Sequence, residues 1–209
     1  MIMSHYEQTV FIVDDEGSLR ESLRWLLESI RLRIETFDSA ESFLGNYTAD
    51  RAGCLVLDVR MPGMSGPELM DQLNLIGAPI PIIFLSAHGD VPLTMRAMKG
   101  GAFYFLQKPY NNQEFLDRVR QALALDLSNR CQRKRLDDYS TKLATLTQRE
   151  RQIMDRVVDG QSNKLVAREM GISYKTVEAH RSRLMAKMGA DSFAKLLQQV
   201  LTHGEARMH

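Results

Sequence analysis

Five short apolar runs alternate with helix-patterned stretches through the first half of the chain, and this alternation limits the fold more than any other feature. The runs are TVFIV, RIETF, CLVLDV, PIPIIFLS and AFYFLQ. After the first comes SLRESLRWLLESI, where Leu19, Leu23, Leu26, Leu27 and Ile30 repeat with a helical period. Ser18 and Glu21 form a capping-box pattern at its start. SAESFLGNY, GPELMDQLNLI, PLTMRAMKGG and NNQEFLDRVRQAL supply the other helices. Five βα units in about 120 residues predict a doubly wound parallel sheet. Runs as continuously apolar as VFIV and IIFL fit a sheet covered on both faces.

Ligands of such sheets bind at the carboxyl ends of the strands. The first run there ends in Asp14, Asp15 and Glu16, the third in Asp58 and the fourth in Ser86, and Lys108–Pro109 follows the fifth. A lone charge at the tip of a buried strand is costly, so Asp58 should face a partner or ligand. Three carboxylates, a hydroxyl and an ammonium are expected to converge on one edge. Clustered carboxylates stay ionised only beside a cation. Hard oxygen donors without His or Cys indicate Mg²⁺. Lys108 and Ser86 suit phosphoryl oxygens, and Asp58 at the centre suits the nucleophile that accepts a phosphoryl group.

The pattern VDD, LDVRMPGMSG, FLSAHGD and KP resembles the receiver domain of bacterial two-component response regulators, over about residues 8–124. The resemblance implies a flavodoxin-like fold with Asp58 as phosphoacceptor. It implies Mg²⁺ held by Asp14, Asp15, Asp58 and the backbone carbonyl of Arg60. Ser86 and Lys108 would contact the phosphoryl group, Phe105 would be the aromatic switch residue, and Lys108–Pro109 would be cis.

From about Leu125 the character changes. Residues 1–124 hold 11 Lys and Arg against 16 Asp and Glu, a net −5, whereas residues 125–209 hold 16 against 10, a net +6. An acidic half beside a basic half suggests two domains, the second with an anionic partner. Residues 125–143 read as a mostly helical linker. Leu136, Tyr139, Leu143 and Leu146 are spaced as an a/d seam, too short to argue a coiled coil. Four short helices follow over residues 144–209, opened by a Thr147–Glu150 capping box and by Ser162, Ser173 and Asp191, and punctuated by Gly160, Gly171 and Gly189. The tight turn MGIS before the basic helix YKTVEAHRSRLMAKM is a helix-turn-helix signature. Val177, Leu184 and Met188 form that helix's core stripe. Small and polar residues opposite suit base edges, while Arg181, Arg183 and Lys187 suit phosphates. This stretch resembles the C-terminal domain of NarL/FixJ (LuxR-type) regulators. By that resemblance Lys175 and Thr176 would touch the DNA backbone, and Glu178, Ala179 and Ser182 would face bases.

Together the halves resemble a whole FixJ-like response regulator: a receiver joined to an all-α, four-helix helix-turn-helix domain. The implied partners are a sensor histidine kinase, double-stranded operator DNA, a second copy of the chain on phosphorylation, and RNA polymerase. No apolar run approaches ~18 residues, so no membrane span is expected. The N-terminus lacks a secretory pattern, and two cysteines, Cys54 and Cys131, make no disulfide framework, which suits the cytoplasm. One rival reading is a Mg²⁺-dependent phosphatase with an aspartyl nucleophile. It would need a general acid and a cap, but Arg60 stands two residues after Asp58 and no cap insertion is visible. The other rival, a vestigial receiver, conflicts with the complete acidic pocket.

Overall fold

The computed structural model describes residues 7–78, 80–86 and 91–204, so residues 87–90, read above in FLSAHGD, lie outside the described residues. The strands are β1 (Thr9–Val13), β2 (Arg33–Phe37), β3 (Gly53–Asp58), β4 (Ile82–Ser86) and β5 (Tyr104–Gln107). They form one parallel sheet in the order β2-β1-β3-β4-β5. The helices between them are α1 (Gly17–Glu28), α2 (Ala40–Asn46), α3 (Gly66–Leu75) and α4 (Val91–Lys99), and α5 (Asn112–Ala144) follows β5. The order reverses between β1 and β3, which opens a crevice at their carboxyl ends.

Every residue of β1, β3 and β4 is buried. Side chains alternate between the two faces with the period of a strand. Phe11, Leu55, Leu57 and Phe84 meet Phe43, Leu69, Met70 and Leu73 on one side. Val10, Ile12, Cys54, Val56, Ile83 and Leu85 meet Leu23, Leu27, Phe115 and Val119 on the other. Each such fully buried aliphatic or aromatic side chain contributes about 1.5–3 kcal/mol. The continuous apolar runs are thus two-sided core strands, as their composition predicts.

The capping-box reading of Ser18 and Glu21 is corrected. Glu16 is the N-cap of α1, without a side-chain cap bond, and the Ser18 hydroxyl donates to Glu16 Oε1 at 2.6 Å. The helix starts earlier because Asp14 Oδ1 accepts the Glu16 N–H at 2.8 Å, so the strand-end carboxylate itself turns the chain.

Contacts divide the chain into two units, Met1–Cys131 and Gln132–His209. Helix α5 continues through the segment read as linker. Near its middle Asp126 is fully buried and Arg130 is 8% exposed. Arg130 Nε donates to Asp126 Oδ1 at 2.8 Å, and its Nη atoms donate to the carbonyls of Ala49, Asp50 and Arg51. Asp126 Oδ2 in turn accepts the N–H of Gly53 at 2.9 Å. Gly53 has φ +150°, and a Cβ there would sit 1.8 Å from the Thr9 carbonyl oxygen, so only glycine starts β3 this way.

In the second unit α6 (Gln148–Val158), α7 (Asn163–Met170), α8 (Tyr174–Met188) and α9 (Phe193–Gly204) follow. The Thr147–Glu150 capping box is formed, and the Ser162 and Ser173 hydroxyls cap α7 and α8. Gly171 and Gly189 end α7 and α8 in left-handed conformations. Leu143 and Leu146 pack with Leu184, Met188 and Leu196, and half-buried Tyr139 joins them. The a/d spacing therefore records packing into this unit's core.

Candidate functional site

Asp14, just past β1, and Asp58 and Ser86, the last residues of β3 and β4, are all buried. Lys108 follows β5, and its bond to Pro109 is cis. Together with Asp15, Glu16, Val59 and Arg60 they line a cavity of about 270 Å³. Lys108 Nζ donates to Asp58 Oδ1 at 2.7 Å and to Asp14 Oδ2 at 3.2 Å, so one ammonium bridges two carboxylates. Asp58 Oδ2 accepts the N–H of Arg60 at 2.8 Å, which ties the carboxylate to the loop after its own strand. Burial pushes Asp14 above the usual carboxylate range, opposed by the Glu16 N–H and Lys108 and reinforced by Asp58. Burial works against the Lys108 ammonium, but hydrogen bonding and attraction from Asp58 and Asp14 outweigh it and raise its pKa. The arrangement keeps a charged lysine against a carboxylate poised at the cavity floor.

The expected convergence of three carboxylates is found, because Asp14, Asp15 and Asp58 all line this cavity. Asp15 is exposed at the rim, and among the described residues no three His, Cys, Asp or Glu side chains are placed to hold a metal by themselves. Two carboxylates with a rim carboxylate, backbone oxygens and water still match Mg²⁺, which binds few protein ligands and keeps several waters. Phe105 pairs with Phe84 across β5 and β4 and is half-buried against the core beside α3 and α4.

Gly66 explains the second glycine of MPGMSG. A Cβ there would lie 2.3 Å from the Asp58 carbonyl oxygen and 2.9 Å from the Phe84 ring. The start of α3 thus packs directly on the residue that carries the candidate nucleophile. Gly66→Ala should cost about 1–3 kcal/mol in urea unfolding, because the backbone oxygen cannot yield as a flexible side chain would.

On α8 the stripe Val177, Leu184 and Met188 is buried. Lys175, Thr176, Glu178, Ala179, Ser182 and Arg183 are exposed, as the assignment of faces requires. Arg181 and Lys187 are placed otherwise. Arg181 donates to Asn163 Oδ1 at 2.8 Å and lies 5.5 Å from the centre of the Phe193 ring. Lys187 donates to buried Glu150 at 2.7 Å and to the Thr145 carbonyl at 2.9 Å. Hydrogen bonds from Lys187 and from the Thr147 N–H push the Glu150 carboxyl down to about 2. A depressed carboxylate stabilises the fold above its ordinary pKa of 4.5, and that contribution is lost as pH falls toward 2. Lys187→Met should therefore flatten the acid-induced loss of helix across this window, followed by circular dichroism. An unchanged acid transition would count against the pair.

Sequence reasoning missed Arg20, Asp126 and Arg130. The last two stand at i and i+4 on one helix, a spacing that favours an ion pair. Nothing in the sequence signals the carbonyls that Arg130 and Arg20 bind.

A five-stranded parallel sheet whose switch point holds an acidic cavity closed by a lysine defines a receiver, and the second unit defines a helix-turn-helix domain. Comparisons with known proteins agree. Residues 10–120 match the response regulator receiver domain, and residues 144–200 match the luxR family of bacterial regulatory proteins. The chain is 50% identical over 193 residues to the transcriptional regulatory protein TdiR of Thauera aromatica, covering 92% of this chain and 85% of that one. It is 41% identical over 197 residues to the transcriptional regulatory protein FixJ of Azorhizobium caulinodans, covering 94% and 93%. Its fold is similar to the solved structure of the response regulator StyR, with TM-score 0.87 and 46% identity over 93% of this chain and 98% of that one. The chain belongs to the response regulators that join a receiver to a LuxR-type DNA-binding domain.

Proposed function

We propose that a sensor histidine kinase phosphorylates this regulator on Asp58 and that phosphorylation strengthens its binding to promoter DNA in the cytoplasm. The observation that carries the reading is the Lys108 bridge between Asp58 and Asp14 at the cavity floor. An Asp58 carboxylate oxygen attacks the phosphorus of the kinase phosphohistidine. The P–N bond breaks, and the departing imidazole takes up a proton. Lys108 then turns its ammonium to a phosphoryl oxygen, and the Ser86 hydroxyl donates to another. Asp14, Asp15, Asp58 and the Arg60 carbonyl would hold Mg²⁺, which when bound supplies charge neutralisation for the incoming phosphate.

Phosphorylation adds ~1.5–2 negative charges beside Ser86 and Lys108. Ser86 moves toward the new oxygens, and Phe105, already half-buried, turns into the space released. The α4–β5 surface then repacks. It exposes Met95 and Met98, at 54% and 47%, which suits pairing with a second copy. A two-fold dimer presents two α8 helices to half-sites about one DNA turn apart, and effective concentration then raises affinity. At the promoter the bound dimer would meet RNA polymerase.

Incubating the full chain with a small phosphodonor and Mg²⁺ tests the chemistry. One stable phosphate per chain is expected; continuous turnover would indicate a phosphatase, and no reaction a vestigial receiver. Sedimentation with beryllofluoride should show monomer becoming dimer. For DNA, Arg183→Ala should weaken binding to all sequences alike and lower the salt slope by about 1. A changed base preference at unchanged affinity would move Arg183 to the base-reading face.

A further inference from the structure

We infer that Arg20 is a positioning residue for the acidic pocket, an inference that rests on the phosphorylation reading above. Its guanidinium folds back along α1 toward the helix start, the direction helical side chains favour. There Nη1 donates to the backbone carbonyl of Asp14 at 2.5 Å. Asp14 is thereby held at every polar group. Its N–H donates to the Phe37 carbonyl at 3.3 Å, its Oδ1 accepts the Glu16 N–H at 2.8 Å, and its Oδ2 accepts Lys108 at 3.2 Å.

Asp15 stands in contrast. Its side chain is exposed at the cavity rim and, among the described residues, makes no hydrogen bond or ion pair. What places its carboxylate is the backbone that leads into it. A peptide unit is planar, so fixing the Asp14 carbonyl fixes the whole Asp14–Asp15 linkage and the direction in which the Asp15 chain departs. Arg20 therefore acts on the rim carboxylate through the peptide bond, without touching it.

Charge and position make opposite predictions here. Arg20 is a cation near a cluster of carboxylates, so by Coulomb attraction alone its removal would tighten Mg²⁺ binding. If its task is positioning, removal frees the peptide to rotate and Mg²⁺ binding weakens. Groups that orient metal ligands typically matter about 10–100-fold in affinity.

The test uses the full chain with Arg20→Met, Arg20→Lys and the wild type. Mg²⁺ affinity is measured by titration calorimetry, and adduct formation from a small phosphodonor is followed against Mg²⁺ concentration. Arg20→Met should weaken Mg²⁺ about tenfold or more. Its rate at saturating Mg²⁺ should stay within about twofold of wild type, because Asp58, Ser86 and Lys108 are untouched. Lysine can still donate to one carbonyl, so Arg20→Lys should recover most of the affinity. Unchanged or tighter Mg²⁺ binding in Arg20→Met overturns the inference, as does a Lys variant no better than Met. A wild-type chain that binds no Mg²⁺ or forms no adduct would instead defeat the phosphorylation reading itself.

Discussion

Asp58→Asn should give a folded protein that accumulates no phosphate. The swap keeps shape and volume at a residue only 8% exposed, so the β3 terminus has no cavity to fill. What it changes is chemistry. The two Asp58 oxygens now accept from Lys108 and from the Arg60 N–H. An asparagine oxygen can accept from one of them, and its amide N–H groups then face the other donor. The lost ion pair is partly offset, because Asp14 keeps Lys108 and no longer repels a neighbouring carboxylate. The net stability change should stay within about 1.5 kcal/mol, the scale of one hydrogen bond. The amide nitrogen is no nucleophile, since its lone pair is shared with the carbonyl. Intact-mass measurement after phosphodonor and Mg²⁺ should therefore show the unmodified chain alone, and DNA affinity should no longer respond to the donor. A full adduct on Asp58→Asn would place the acceptor on another carboxylate of the cavity.

The residues of this pocket were legible because each ends an apolar run. A buried strand announces itself by composition, and the first polar residue after it must emerge at the sheet edge. That logic found Asp14, Asp58, Ser86 and Lys108. It also found Asp15, which lines the same cavity from its exposed rim. The capping box at Ser18 failed because the competing acceptor was Asp14, outside the four-residue pattern. On α8 the exposed and buried faces followed from helical period, but Arg181 and Lys187 did not. Their partners, Asn163 on α7 and Glu150 on α6, become neighbours only once the helices pack. Arg20 was illegible, and Arg130 was legible only as the i+4 ion-pair partner of Asp126, because what both bind is mainly backbone carbonyl.

Arg130→Met should destabilise the first unit more than any other single change beyond its apolar core. The family match ends at residue 120, yet Asp126 and Arg130 complete the fold from within α5. Arg130 satisfies the carbonyls of Ala49, Asp50 and Arg51 just before β3, and Asp126 satisfies the first N–H of β3. Methionine fills similar space but leaves a fully buried carboxylate without its cation and three carbonyls without their donor. Breaking a buried pair from one side costs about 3–5 kcal/mol. Asp126→Asn should cost less, since its amide oxygen still accepts from Gly53 and Arg130 keeps its carbonyl partners. Arg130→Lys should recover little, because one ammonium cannot span a carboxylate and three carbonyls as the planar fork does. Urea unfolding of the full chain should rank the variants in that order. Amide exchange should quicken in residues 125–131 and at Gly53 while α8 keeps its protection. A loss below about 1 kcal/mol in Arg130→Met would mean that the pair is no better than a surface ion pair, and that the N-terminal unit holds this length of α5 by its apolar contacts alone.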